Sequence, residues 1–146
     1  MQSTRLLAAV MLIVGVAPRL AGQTASVSGP PMVLTPEVAK VLFASMASDL
    51  RNLVTAEESY FSDNNRYGRV LSSTDSHQVH VQPSPGVTLT LTYVTANYWA
   101  GRANHEWLGR SSCVILVGQV PPSRAPRTAA QGLPPREEGS PICDDR

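Results

Sequence analysis

Little in the composition of this chain of 146 residues signals chemistry. Charge of one sign is lacking: Lys and Arg total 12 against 11 Asp and Glu, a formal net charge of +1. That balance gives no basic footprint for nucleic acid and no strong pull toward anionic membranes. Lysine is nearly absent, since Lys40 is the single one among those basic residues. Neither a phosphate loop nor a dinucleotide fingerprint occurs. The longest apolar run, Leu6–Ala17, falls short of the roughly 20 residues that a membrane-spanning helix needs. Two cysteines and three histidines are too few and too scattered for a zinc site of about four clustered ligands. No internal repeat is visible.

Proline is plentiful, with 12 copies gathered mostly at residues 30–36 and in the last quarter. The N-terminus has the layout of a secretory signal peptide over residues 1–22. Arg5 supplies the positive region, the apolar run follows, and "PRLAGQTAS" closes it with a helix breaker and small residues. Cleavage is expected near Gly22–Gln23. The alternative is an uncleaved short anchor, which is the one route by which a membrane enters the reading. Residues 23–34, "QTASVSGPPMVL", read as a flexible linker, and residues 35–146 as one globular domain. Export predicts a periplasmic or secreted protein. In an oxidising compartment the even pair Cys113 and Cys143 favours a disulfide, with one connectivity possible.

Thr35-Pro36-Glu37 announces a helix. The threonine hydroxyl can cap an unpaired N–H, proline suits the first turn, and the carboxylate complements the dipole. Val38, Leu42, Met46, Leu50, Leu53, Tyr60 and Phe61 then recur on one helical face, with Val54 widening it. The spacing predicts a helix over 36–62, stopped by Asp63-Asn64-Asn65, whose side chains compete for local backbone groups. "RYGRVLSSTDSHQ" reads mostly as loop.

Beyond it the period becomes alternating. "QVHVQ" is a candidate short strand and "PSPG" a turn. "VTLTLTYV", Val87–Val94, is the clearest strand in the chain. "NYWAGRANHEW" supplies a second, with Gly101 and Ala103 thinning one face, and "SCVILVGQV" an apolar third. The plan is α+β: a long N-terminal helix on a three- to four-stranded antiparallel sheet whose other face meets water. The Pro-, Gly- and Ser-rich tail would read as disordered but for Cys143. A Cys113–Cys143 bond would make it a disulfide-closed C-terminal loop.

Four pieces, "MASDLRNLVTAEESYFSDNNRYG", "PSPGVTLTLTYVTANYWAGRANH", "CVILVG" and "EGSPICD", occur in an order that resembles the soluble domain of type IV pilins and type II secretion pseudopilins. The resemblance spans about Met46 to Asp144 and rests on the ordering of the pieces. It implies a pilin-like fold and an assembly-associated role. It departs at the N-terminus, where a short basic leader ending in Gly, a Glu at the fifth mature position and a helix continuous with a long apolar stretch are the family's pattern. Filament assembly by the usual route is therefore not implied.

Candidate chemistry is sparse. His77, His80 and His105 would have to converge to hold a metal, and alternation would put His77 and His80 on opposite faces of a strand. Glu57, Glu58 and Asp63 read as a solvated helix face, with Glu57 placed to touch the following loop. The polar run Ser72–Ser76 lacks the strained turn of a nucleophile elbow. Trp99 is read as core, and Trp107, in "NHEWLGR", as a possible surface contact. No cofactor or metal is expected. The leading expectation is an exported, non-enzymatic, pilin-like protein that acts through a protein partner. The alternatives are a small-ligand or polysaccharide-binding module built on the Trp107 loop and tail, and a hydrolase with an unrecognised site.

Overall fold

The computed structural model describes residues 33–145. The signal peptide expected at 1–22 and the linker residues 23–32 lie outside the described residues; Val33 and Leu34, which end that linker, are exposed.

Helix α1 spans Pro36–Asn64, two residues longer than the apolar spacing predicts. Thr35 is its N-cap, and its hydroxyl accepts from the Val38 N–H at 3.3 Å. The Glu37 carboxyl is held below its ordinary range by its own backbone amide and by the Thr35 hydroxyl. Asn65 ends the helix in the left-handed conformation, φ 54°, donating its N–H to the Phe61 carbonyl. That is the stop expected of an Asx cluster. Met46, Leu50 and Leu53 are fully buried, and Val54, Tyr60 and Phe61 pack at the margin of the core. The buried stripe is wider than expected, taking in Phe43, Asp49 and Glu57.

Two short strands follow. β1 (Leu71–Ser72) and β2 (Val79–His80) pair in parallel. The loop reading of 66–78 is corrected to this extent, and "QVHVQ" contributes only its second and third residues, Val79 and His80. The main sheet has four antiparallel strands in the order β3 (Val87–Val94), β4 (Trp99–His105), β5 (Ser112–Val117), β6 (Ile142–Cys143). A 3-10 turn, Glu106–Leu108, joins β4 to β5. Trp99 is fully buried beneath α1. Gly101 makes room for it, since a Cβ there would lie 3.1 Å from Trp99 Cζ3 and 3.5 Å from Leu53 Cδ2. The thin face noted in the sequence is thus the seat of the tryptophan.

The regular alternation of β3 breaks once. Leu91 faces Gly101 and Tyr93 faces Ala100, so Thr92 is an extra residue, a β-bulge. The bulge reverses parity, and Val94 rather than Tyr93 packs toward the core. Tyr93 instead stacks on Tyr98, with centroids 6.0 Å apart, and carries the Arg124 guanidinium over its ring at 5.7 Å. Tyr93 therefore touches the C-terminal segment through a cation–π contact.

The expectation that the far face of the sheet meets water is corrected for β4 and β5. Ala100, Ser112 and Val114 alternate with the core residues of their strands, yet none is accessible. The segment between β5 and β6 lies over them. Arg102 donates to the Arg127 carbonyl at 2.9 Å, Ala129 N–H to Ser112 Oγ at 2.7 Å, and Gly139 N–H to the Leu116 carbonyl at 2.8 Å. Cys113 and Cys143 face each other across β5 and β6 and form the disulfide. Among the described residues no helix is long and apolar enough to cross a membrane.

Two substitutions check this architecture. Leu50→Ala removes a fully buried side chain and should cost about 2–5 kcal/mol by denaturant titration. A loss below about 0.5 kcal/mol would be the value of a surface site and would refute the packing. Cys113→Ser opens a closure of 30 residues and should cost about 3–4 kcal/mol under oxidising conditions. An unchanged melting temperature would contradict a structural disulfide.

Candidate functional site

Three acidic side chains are buried among the described residues: Asp49, Glu57 and Asp144. Each lies where an apolar residue would be the default. Asp49 and Glu57 sit on the buried stripe of α1, between Met46, Leu53 and Tyr60 at spacings of three and four. Their burial follows from the helical period, which the solvated-face reading of Glu57 overlooked. A carboxylate on such a stripe has to find donors inside the fold.

Most of the donors are backbone amides of loops. Asp49 accepts the Ser84 N–H at 2.8 Å and the Ser84 hydroxyl at 3.1 Å, which holds the turn before β3. Asp144 accepts N–H groups from Ser112 at 2.9 Å, Ala130 at 3.0 Å and Gln131 at 2.7 Å. Burial raises its pKa, but the Thr128 hydroxyl and these amides outweigh burial and hold the carboxyl below its ordinary range. Glu57 accepts the Gly68 N–H at 2.8 Å, the loop contact that the sequence anticipates. Beside it, the Tyr67 hydroxyl donates to Glu58 at 2.7 Å. Burial first, and that hydrogen bond second, push the Tyr67 phenol above its usual range. Gly68 is required at its position, since a Cβ there would collide with Val79 Cγ2.

Glu57 differs from the other two. Its Oε1 is buried with no partner among the described residues. An ionised carboxylate buried with one oxygen unpaired is costly, so burial raises its pKa to about 7, opposed by the Gly68 amide and reinforced by the charge of Glu58.

A polar groove of about 840 Å3 runs between α1 and the segment leading into β2. Asn52, Ser59, Asp63, Arg66, His77 and His80 line it. His77 and His80 share this groove because His77 precedes the two-residue strand, which corrects the opposite-face expectation. His105 is elsewhere, buried, with Nδ1 accepting the Trp107 N–H at 3.2 Å. The three histidines do not converge, and no group of three His, Cys, Asp or Glu that could hold a metal ion exists among the described residues. None of the three buried carboxylates lines the groove.

Trp107 is at the surface, 47% exposed, its ring 5.4 Å from that of His105. It does not line the groove, so the polar cleft and the exposed indole are separate features. Comparison of the chain with protein-family models, with curated proteins and with solved structures gives no match.

The Glu57 carboxyl gives a pH test with a defined sign. Its folded pKa of about 7 exceeds its ordinary value of 4.5, so the folded state holds the proton more tightly. The stabilisation is full below about pH 4.5 and is lost as pH rises through 7, on the order of 2–3 kcal/mol. Wild type should lose stability from pH 5 to pH 8 relative to Glu57→Gln, measured by calorimetry. Parallel pH profiles for the two proteins would show that Glu57 carries no such linkage.

Proposed function

We propose that this chain is an exported, non-catalytic protein of pilin-like architecture that acts through contacts with a protein partner. The observation that carries the reading is the commitment of the buried carboxylates. Asp49, Glu57 and Asp144 each take up loop amides, and acids so engaged brace surface loops instead of facing a substrate. The element order supports the pilin-like part: a long capped helix, an antiparallel meander, and a last segment returned to the sheet by the Cys113–Cys143 bond. The disulfide supports an oxidising compartment, periplasmic or extracellular. Trp107, half-exposed in a short turn, is the side chain proposed to meet the partner.

One observation favours a second reading. The side chains of Asn52, Ser59, Asp63, Arg66, His77 and His80 make no hydrogen bond or ion pair among the described residues, and they line one groove. Donors and acceptors so disposed suit a small polar ligand or a saccharide. The hydrolase alternative would need a buried carboxylate or histidine opening on that cleft.

The intact mass of the non-reduced protein from fractionated cells tests the leading reading. A soluble species that begins near Gln23 and is two hydrogens lighter than the dithiol is expected. A membrane-bound species retaining Met1 would refute removal of the signal. A photo-crosslinking residue at Trp107, installed in the producing cells, should give one discrete protein adduct. No adduct above that of an exposed control position such as Ser73 would exclude Trp107 from the contact.

A further inference from the structure

Among the described residues, strand β3 forms one edge of the main sheet and pairs only with β4. The opposite edge, β6, has two residues, whereas β3 has eight. Natural edge strands of that length are usually blunted by lysine, proline or an inward charge. "VTLTLTYV" carries none of these. Its one irregularity is the bulge at Thr92, which twists the end of the strand and leaves Val87–Leu91 regular.

The direction of its free backbone groups follows from the ladder. Glu106 N–H donates to the Gly86 carbonyl at 3.1 Å, so Gly86 and Glu106 form a hydrogen-bonded pair. Alternation makes Thr88 with Asn104, and Thr90 with Arg102, the next such pairs in this register. The N–H and C=O groups of Leu89 and Leu91 therefore point away from β4. Val87 N–H turns back to the Ser84 carbonyl at 3.0 Å, which leaves its carbonyl for the edge. Thr88 and Thr90 are exposed, and Leu89 and Leu91 are only partly covered by the core.

We infer that the free edge of β3 pairs with β3 of a second copy of this chain, antiparallel about a two-fold axis at Leu89. Leu89 N–H of each copy donates to the Leu89 carbonyl of the other, and Leu91 N–H to the Val87 carbonyl. The strand is self-complementary in that register. Leu89 meets Leu89 and Val87 meets Leu91 on the helix side, while Thr88 meets Thr90 on the other face. Like side chains in facing positions are favourable here, because β-branched and apolar cross-strand pairs stabilise antiparallel ladders. No ionisable group between Val87 and Leu91 opposes the approach. The two sheets become one continuous sheet across the axis. This inference concerns the β3 edge alone and is independent of where the chain resides or which other protein it meets.

Sedimentation equilibrium of the disulfide-intact chain tests it. Wild type should show a monomer–dimer equilibrium with a constant between about 10 μM and 1 mM, in the weak range of small interfaces. T88K/T90K changes two exposed positions and sets ammonium groups opposite one another in two pairs. It should weaken the dimer about tenfold or more while keeping the wild-type melting profile. T88E/T90K sets each carboxylate against an ammonium across the same axis and should restore the dimer. A wild type that stays monomeric to about 1 mM would overturn the inference, as would a dimer indifferent to T88K/T90K. Failure of T88E/T90K to recover association would overturn the register. None of these results moves the intact-mass or Trp107 measurements, so the two readings fail separately.

Discussion

The cross-link between Cys113 and Cys143 is the constraint on which the rest of the C-terminal half depends. It ties a proline-rich segment, which has no helical or strand period of its own, to the centre of the sheet. Without that tie the segment would gain much chain entropy by leaving. With it, Asp144 is carried to within hydrogen-bond reach of Ser112, Ala130 and Gln131. The segment then covers the second face of β4 and β5, where Ala100 and Val114 are inaccessible. A small domain thereby gains a second buried layer without a second helix.

The first layer rests on α1. Its stripe is apolar at Met46, Leu50 and Leu53 and acidic at Asp49 and Glu57. Apolar positions fix the helix on the sheet, and the acids fix the loops that leave it. Asp49 holds the turn into β3, and Glu57 holds the exit at Gly68. The cost of burying these groups is offset only while the loop amides stay in place. Loop conformation and helix packing are therefore coupled, most sensitively at Glu57, whose second oxygen has no partner among the described residues.

The sheet also divides the surface into regions with different capabilities. One edge is short and closed by the disulfide. The other is long and uncharged, with backbone groups directed outward. The polar groove beside α1 and the exposed indole of Trp107 lie apart from the buried acids.

The sequence by itself determined what local rules decide. Thr35-Pro36 sets the start of α1 and Asn65 its end, because capping is a matter of neighbouring backbone groups. Alternation places β3 at Val87–Val94 residue for residue. Two cysteines permit one bond, and Gly101 with Ala103 foretells a thin face on the second strand. Tertiary structure alone decided the remainder. The parallel pairing of β1 with β2, the parity reversal at Thr92 and the folding of the tail over Val114 all depend on which donors and surfaces remain after the helix has docked. Asp49 and Asp144 became loop clamps for the same reason: their partners are 35 and 32, 14 or 13 residues away in the chain, beyond the reach of any local pattern. Glu57 was half legible, since its place near the helix exit foretells a contact with the following loop, but packing had to supply Gly68 and, among the described residues, supplies no second donor.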